Sequence, residues 1–256
     1  MVCAQLLSMK NRNITSSRLI IKSARRVPTF WIEPDAFLRY LPIIQWILNR
    51  NSSQKILEIG SGDFGLSTYF KYPLIKVDIS FQRPQQPFSW KVKADALKLP
   101  FPDHSFDLVF SVDLLEHILP SNRIKILEEM VRISKKEVIA IFPCGEEARA
   151  QDLAIASKFE KDTGRKLEIL RAHEEIPFPE ESEIVNWKKL LSGRIKNFDV
   201  LKLFNLKLRE KLIRGWLRQN HSAIRVAHLL IKSRLLGRLL DFGTCYRRLF
   251  KLKIKT

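Results

Sequence analysis

The sequence predicts an α/β fold built on a parallel sheet with helices on both faces. Three observations carry that prediction. Short apolar runs alternate with polar or helical stretches from Lys55 to Pro143. Several of these runs are almost continuously hydrophobic, as strands buried on both faces are. The first run enters "KILEIGSGDFGLSTYF" (Lys55 to Phe70), a strand, then glycines, then an expected helix.

Residues 1–33 form a basic lead whose longest apolar runs are three or four residues, too short for a secretory signal. "EPDAFLRYLPIIQWILNRN" (Glu33 to Asn51) is an expected helix with Pro34 in its first turn and Pro42 set to kink or divide it. The expected strands are "KILEIG", "LIKVDIS", "WKVKADA", "FDLVFSV" and "VIAIFP", with a helix over "SNRIKILEEMVRIS" between the last two. After Pro143 the pattern changes. "CGEEARAQDLAIASKFEKDTGRK" is an expected helix closed near Gly164. "AHEEIPFPEESEI" is an expected loop or inserted cap, and "FDVLKLFN" and "GTCYRRLFKLKI" are two more strands. Between them, Leu206 to Leu240 is basic and apolar at helical spacing, with weak points at Gly215 and Gly237. The expected organisation is one domain over 1–256: the lead (1–33), a core (34–143), then a cap, basic helices and last strands (144–256).

The net charge of +18 is uneven. Ser182 to Thr256 hold 19 Lys/Arg against 4 acids, or +15, leaving +3 on the first 181 residues. Such an asymmetry suits an anionic membrane surface or nucleic acid. Cys3, Cys144 and Cys245 are far apart and form no C-x-x-C pair, which points away from disulfides and structural zinc and toward a reducing compartment. No window of 18 apolar residues predicts a spanning helix. The expected location is cytoplasmic, with the basic segment as a candidate peripheral membrane contact.

Gly60, Gly62 and Gly65 spell G-x-G-x-x-G, a turn that brings backbone close to a ligand and serves more than one cofactor. Glu58 stands two residues before Gly60. A carboxylate there repels a pyrophosphate and suits the ammonium of a methionine moiety, directly or through water. Asp78 ends the second strand, where an acid can accept from ribose hydroxyls, as it also does in nicotinamide sites. Asp95 follows the third strand and can accept from an adenine amino group. Asp78 does not discriminate, but Glu58 and Asp95 favour S-adenosylmethionine over a dinucleotide.

With these residues in place, the chain resembles the class I S-adenosylmethionine-dependent methyltransferases, nearest the broad group acting in small-molecule, quinone and glycan pathways. The resemblance rests on Glu58-x-Gly60-x-Gly62, Asp78, "DALKLPF" (Asp95 to Phe101) and "SFDLVFSVDLLEHI", roughly a third of the chain. One departure stands out. The family's third glycine falls where this chain has Phe64, and Gly65 comes one residue later. The resemblance implies a Rossmann-like, seven-stranded mixed sheet of order 3-2-1-4-5-7-6 with the last strand antiparallel, here carrying a basic helical C-terminal elaboration. It also implies a cofactor shell of Glu58, Gly60, Ser61, Gly62, Asp78, Ile79, Asp95 and Ala96. "LRAHEEIPFPEESEI" and "CYRRLFKLK" are similar to methyltransferases of surface-polysaccharide pathways.

Leu99 and Phe101 suit an adenine face or the core equally. Asp113, Glu116 and His117 follow the fourth strand, on the side where a parallel sheet opens to ligands. His117 and His173 are the candidate general bases; the bland alternatives are a loop-orienting histidine and a surface loop histidine. His104 fits a solvated turn, Cys144 a structural thiol, and Trp187 and Trp216 the core or an interface. No metal site is expected. The expected function is methyl transfer from S-adenosylmethionine to oxygen on a small-molecule, glycan or lipid-linked acceptor. The alternatives are an RNA methyltransferase using the basic segment, with no recognisable RNA-binding module in its favour, or a non-catalytic binding protein on the same fold.

Overall fold

The computed structural model of the chain describes residues 38–50, 52–85, 88–217 and 241–255. Its elements are α1 (Leu41–Leu48), β1 (Ile56–Ile59), β2 (Leu74–Asp78), β3 (Ser89–Lys93), β4 (Phe106–Val112), α2 (Pro120–Ile133), β5 (Ser134–Pro143), α3 (Glu146–Thr163), α4 (Glu168–Arg171), α5 (Glu181–Leu191), β6 (Ile195–Asn205), α6 (Leu206–Leu217) and β7 (Cys245–Ile254). The strands form one seven-stranded sheet of order β3-β2-β1-β4-β5-β7-β6. β1 to β5 pair in parallel, and β7 runs antiparallel to both its neighbours, as the resemblance implied.

The core lies on both faces because side chains alternate along each strand. Leu57, Ile59, Ile75, Val77 and Val109 meet the buried stripes of α2 and α5. Ile56, Leu74, Leu108, Phe110 and Ile139 meet α1. β4, at the centre, is buried at every position but Asp107.

At Pro42 the expected division is found: Leu38 is helical, Arg39 and Tyr40 turn, and α1 begins at Leu41 with Pro42 in its first turn, where its missing N–H needs no partner. Residues 33–37 lie outside the described residues. Several expectations are corrected. No helix follows the glycine turn: the chain makes a single 3-10 turn, Leu66–Thr68, and runs on to β2. The strand face there explains this. Glu58 pairs in register with Lys76, and Lys76 with Lys91, so the surface holds charges instead of an apolar strip for a helix to cover. The turn itself neutralises them. Asp63 takes Lys91 Nζ at 2.6 Å and the N–H groups of Gln82 and Arg83, and Lys76 Nζ donates to the Asp63 carbonyl. Among the described residues no helix links β2 to β3 or β3 to β4 either.

The "AHEEIPFPEESEI" segment is only partly loop. It holds a 3-10 turn, Ala172–Glu174, and its end opens α5, where Glu183 Oε1 accepts the Glu180 N–H at 3.3 Å. A glutamate in place of serine or threonine at the cap hides this start. α3 ends at Gly164, left-handed at φ +68° as expected. α6 covers the first part of the expected 206–240 helix, with Leu206, Leu212 and Ile213 buried against the body. The basic stripe over 218–240, with Arg218, Arg225, Lys232, Arg234 and Arg238, lies outside the described residues.

Candidate active site

The glycine turn leaves β1 with Gly60 still bonded to the sheet, its N–H donating to Val77 O at 2.8 Å. Gly60, at φ +72°, lies against Leu114: a Cβ there would come 2.7 Å from Leu114 Cδ1. This contact joins the turn to the segment that follows β4. Gly62, at φ +49°, donates its N–H to Asp78 Oδ2 at 2.7 Å. A Cβ on Gly62 would meet nothing within 4 Å, so its backbone faces open space. Ser61 is buried, with Oγ donating to Gly62 O.

Glu58 is 1% exposed, and both its carboxylate oxygens accept the Leu66 N–H, at 3.1 and 3.0 Å. Gly65 lies directly on this carboxylate, with a hypothetical Cβ 2.5 Å from Oε2. The displaced third glycine is thereby explained. It clears room for Glu58, which is turned onto the loop's own backbone. Burial pushes the Glu58 carboxyl up to about 7, against the opposing pull of Lys76.

Asp78 is half-buried at the end of β2, and its second oxygen accepts the Ser80 N–H at 3.2 Å. Each carboxylate oxygen keeps a further lone pair for a ligand. The Ala94 N–H donates to Asp78 O, so Asp78 and Asp95 leave neighbouring strand ends. Asp95 is exposed and accepts the Leu97 N–H at 2.8 Å. Ile79 is 67% and Leu97 36% exposed beside these acids, while Ala96 packs partly on the core. Leu99 and Phe101 are core side chains, Phe101 edge-on to Phe106, which leaves the adenine-face alternative without support.

After β4 the backbone turns at Asp113, φ +52°. Its carboxylate is held by Arg247 (Nε at 3.0 Å, Nη2 at 2.8 Å) and by Arg39. Burial raises its pKa, but the two guanidinium groups more than offset this and hold the carboxyl well below the usual range. Glu116 is 2% exposed, its Oε2 lacks a hydrogen bond, and burial with the nearby Asp113 charge pushes its carboxyl well up.

The two candidate bases meet. The His117 ring lies 5.4 Å from the His173 ring, centroid to centroid. His117 is exposed; the protein mass around its inner side and the His173 ring lower its pKa below 6.5. His173 is 6% exposed, not a surface loop residue. Its Nδ1 lies 2.8 Å from Asp152 Oδ2, and Phe178 packs edge-on against the ring. Asp152 is fully buried; it also accepts from Tyr246 Oη at 2.5 Å and lies 2.8 Å from Arg209 Nη1.

His104 sits in a left-handed turn, with Nδ1 2.9 Å from Ser134 O. The Cys144 thiol is pushed up to about 12 by burial, in keeping with a structural role. Trp187 is core. Among the described residues no cluster of three or more His, Cys, Asp or Glu could hold a metal ion.

Residues 57–142, the stretch carrying the turn and the strand-end acids, match the family model described as a methyltransferase domain. By that match this segment is a methyltransferase domain. Solved structures share its fold. Phosphoethanolamine N-methyltransferase 2 of Haemonchus contortus, in complex with S-adenosyl-L-methionine, matches at 18% identity and TM-score 0.56 over 88% of this chain and 54% of that one. This chain thus spans about half the length of that enzyme. The same enzyme with phosphomonomethylethanolamine and S-adenosylhomocysteine matches at 17% identity and TM-score 0.52, over 88% of this chain and 58% of that one. A putative methyltransferase from an antibiotic biosynthesis pathway of Anabaena variabilis matches at 17% identity and TM-score 0.51, over 82% and 96%. At these identities the likeness is one of fold. No curated protein sequence matches this chain. Around the methyltransferase domain, the sequence pattern left four partners unmarked: Asp152, Arg209, Tyr246 and Arg247.

Proposed function

We propose that the chain transfers a methyl group from S-adenosylmethionine to a hydroxyl oxygen of a small-molecule acceptor. The observation that carries this reading is the meeting of His117 and His173 beside the methyltransferase turn, with Leu114 against Gly60 linking the two. The residues at the strand ends fit the cofactor: open backbone at Gly62, a half-buried acid at Asp78, exposed Ile79 and Leu97 for an apolar ring, and Asp95 for an amino group. Bound there, S-adenosylmethionine supplies a sulfonium-activated methyl group whose carbon–sulfur electron pair leaves with sulfur.

The protein's own work is alignment and proton handling. Holding donor and acceptor in line can lower a barrier by roughly 7–11 kcal/mol. A hydroxyl also has a proton to lose, which a hydrogen-bonded imidazole can accept. His173 is the base in this reading and His117, at the surface, lines the approach and contacts the acceptor. Glu58 keeps the turn closed from beneath through Leu66, and Arg123 ties the His117 turn to the cap, as its Nε donates to the carbonyls of Leu115 and Ile118 and Nη1 pairs with Glu183 at 2.7 Å. A small-molecule acceptor is supported by the Haemonchus contortus enzyme, whose complex holds phosphomonomethylethanolamine. A glycan or lipid-linked hydroxyl extends the same chemistry to larger acceptors.

Titration calorimetry with S-adenosylmethionine, S-adenosylhomocysteine and NAD tests the cofactor. Binding of the first two and not of NAD is expected; tight NAD binding would overturn the reading. Incubation with methyl-labelled S-adenosylmethionine and extracts, sorted into small-molecule, glycan, lipid and RNA fractions, tests the acceptor. Label confined to RNA would make the chain an RNA methyltransferase, and cofactor binding without transfer a binding protein.

A further inference from the structure

We infer that Asp152 is a positioning residue: it fixes the ring and tautomer of His173 so that Nε2 is left as the proton-accepting nitrogen. The inference rests on the proposed function and adds a residue and a proton location to it.

Asp152 lies on the buried stripe of α3, between Ala148 and Ile155, where an apolar residue would serve packing at no electrostatic cost. A buried carboxylate is costly unless charged and polar partners surround it. Asp152 has three. Tyr246 Oη donates to Oδ2, Arg209 Nη1 lies 2.8 Å from Oδ1, and His173 Nδ1 lies 2.8 Å from Oδ2. Arg209 is itself buried at 2% and stacks on the Tyr246 ring at 3.4 Å. With an arginine and a phenol committed to it, Asp152 stays an acceptor. The Nδ1 of His173 must then carry the proton, which leaves the lone pair on Nε2. Three further contacts keep the ring from turning: Phe178 edge-on, His117 alongside, and Arg149 Nε donating to the His173 carbonyl at 2.9 Å.

The proton balance follows. The acceptor hydroxyl gives its proton to Nε2, forming an imidazolium whose Nδ1–H remains on Asp152. The oxygen's electron pair goes to the methyl carbon. Asp152 stabilises the imidazolium through its charge and does not itself take the proton. This also accounts for the distance in sequence between the parts. α3 supplies Asp152, the cap His173, α6 Arg209 and β7 Tyr246, so the dyad assembles only when the last strand has closed the sheet.

The test is nitrogen-15 imidazole NMR of the full chain, with methyl-transfer kinetics on an acceptor fraction found as above. In the wild-type protein His173 is expected to show a protonated Nδ1 and an unprotonated Nε2. Asp152→Asn is expected to shift this to the other tautomer or a mixture. It should also lower kcat roughly a hundredfold or more, the usual worth of a general base, with KM and S-adenosylmethionine affinity little changed. A wild-type His173 protonated at Nε2 would overturn the inference whether or not the variant folds. So would an Asp152→Asn protein that keeps the wild-type kcat. Failure of the wild-type protein to bind S-adenosylmethionine would instead overturn the function on which the inference rests, and the tautomer spectrum separates the two failures.

Discussion

Replacing Gly65 with alanine puts a methyl group where the Glu58 carboxylate already is. The added Cβ would lie 2.5 Å from Oε2 and 2.8 Å from both Cδ and Oε1. Gly65 also has φ +41° and ψ −165°, a conformation that glycine adopts far more readily than alanine. Forcing an L-residue to positive φ costs about 1–2 kcal/mol, and overpacking a tight site adds about 1–3 kcal/mol. The carboxylate cannot simply step aside, because it is 1% exposed and bonded to Leu66 through both oxygens. Gly65→Ala is therefore expected to destabilise by about 2–5 kcal/mol. Gly62→Ala carries only the cost of its φ, about 1–2 kcal/mol, since nothing lies within 4 Å of the new atom. Gly60→Ala should fall between, because its obstacle is the flexible end of Leu114. Urea unfolding of the three variants gives the order directly. Combining Gly65→Ala with Glu58→Ala removes the overlap, so the pair should couple by 1 kcal/mol or more, beyond the few tenths seen for independent sites. Gly65→Ala and Gly62→Ala of equal stability, or a double mutant that is merely additive, would refute the argument that Gly65 exists to seat Glu58.

Arg123 is fully buried and joins the His117 turn to Pro177 and Glu183; Arg123→Met should cost about 3–5 kcal/mol, and a loss under 1 kcal/mol in urea unfolding would show that the cap is held elsewhere. The Glu58 carboxyl is raised on folding from 4.5 to about 7. Its contribution is therefore fully present below pH 4.5 and lost as pH rises through 7; Glu58→Gln should gain stability relative to wild type between pH 5 and 8, and a constant difference across that range would rule this out. Asp78→Ala removes an acceptor for both Gly62 N–H and a ribose, so S-adenosylmethionine affinity should fall by roughly tenfold or more in calorimetry, since a charged hydrogen bond is worth about 1.5–3 kcal/mol. Burial of its inner side and the His173 ring lower the His117 pKa from its ordinary value, so its ring should titrate in NMR on the acid side of an ordinary imidazole; a midpoint above pH 7 would contradict that environment.

Much of the sheet was legible because its signals are local. β1, β2, β4 and β5 announce themselves as apolar runs, and the strand-end acids Asp78 and Asp95 follow them at fixed places. The missing helix after Gly65 was not legible, because its absence depends on a cross-strand pairing. Lys76 and Lys91 look like ordinary strand polar residues until register sets them beside Glu58. The division at Pro42 was legible because a proline cannot donate to the carbonyl four residues back and fits a first turn, so the helical pattern breaks at Arg39 and Tyr40 and starts again at Leu41.

The catalytic side of the site was half legible, and the division has a physical cause. His117 and His173 stand out because a parallel sheet places ligands at strand ends and because histidine titrates near neutrality. Neither histidine carries a local mark of its partner. Asp152 follows His173 in the argument but precedes it by 21 residues in the chain, and Tyr246 lies 94 residues beyond Asp152. In the sequence Asp152 is one acid among the five of a charged helix, Glu146 to Thr163. Only burial separates it from the other four. Full burial of one carboxylate among solvated ones is itself the signal, since a chain that gained nothing from the charge could place alanine or leucine there at lower cost. The same reasoning applies to Arg209 in the basic α6. Its neighbours Lys207 and Lys211 stay toward solvent, while Arg209 turns inward to Asp152 and Gln151. In both helices a surplus of one charge type on the surface hides the single member spent inside, and the geometry that exposes it is the one that orients His173.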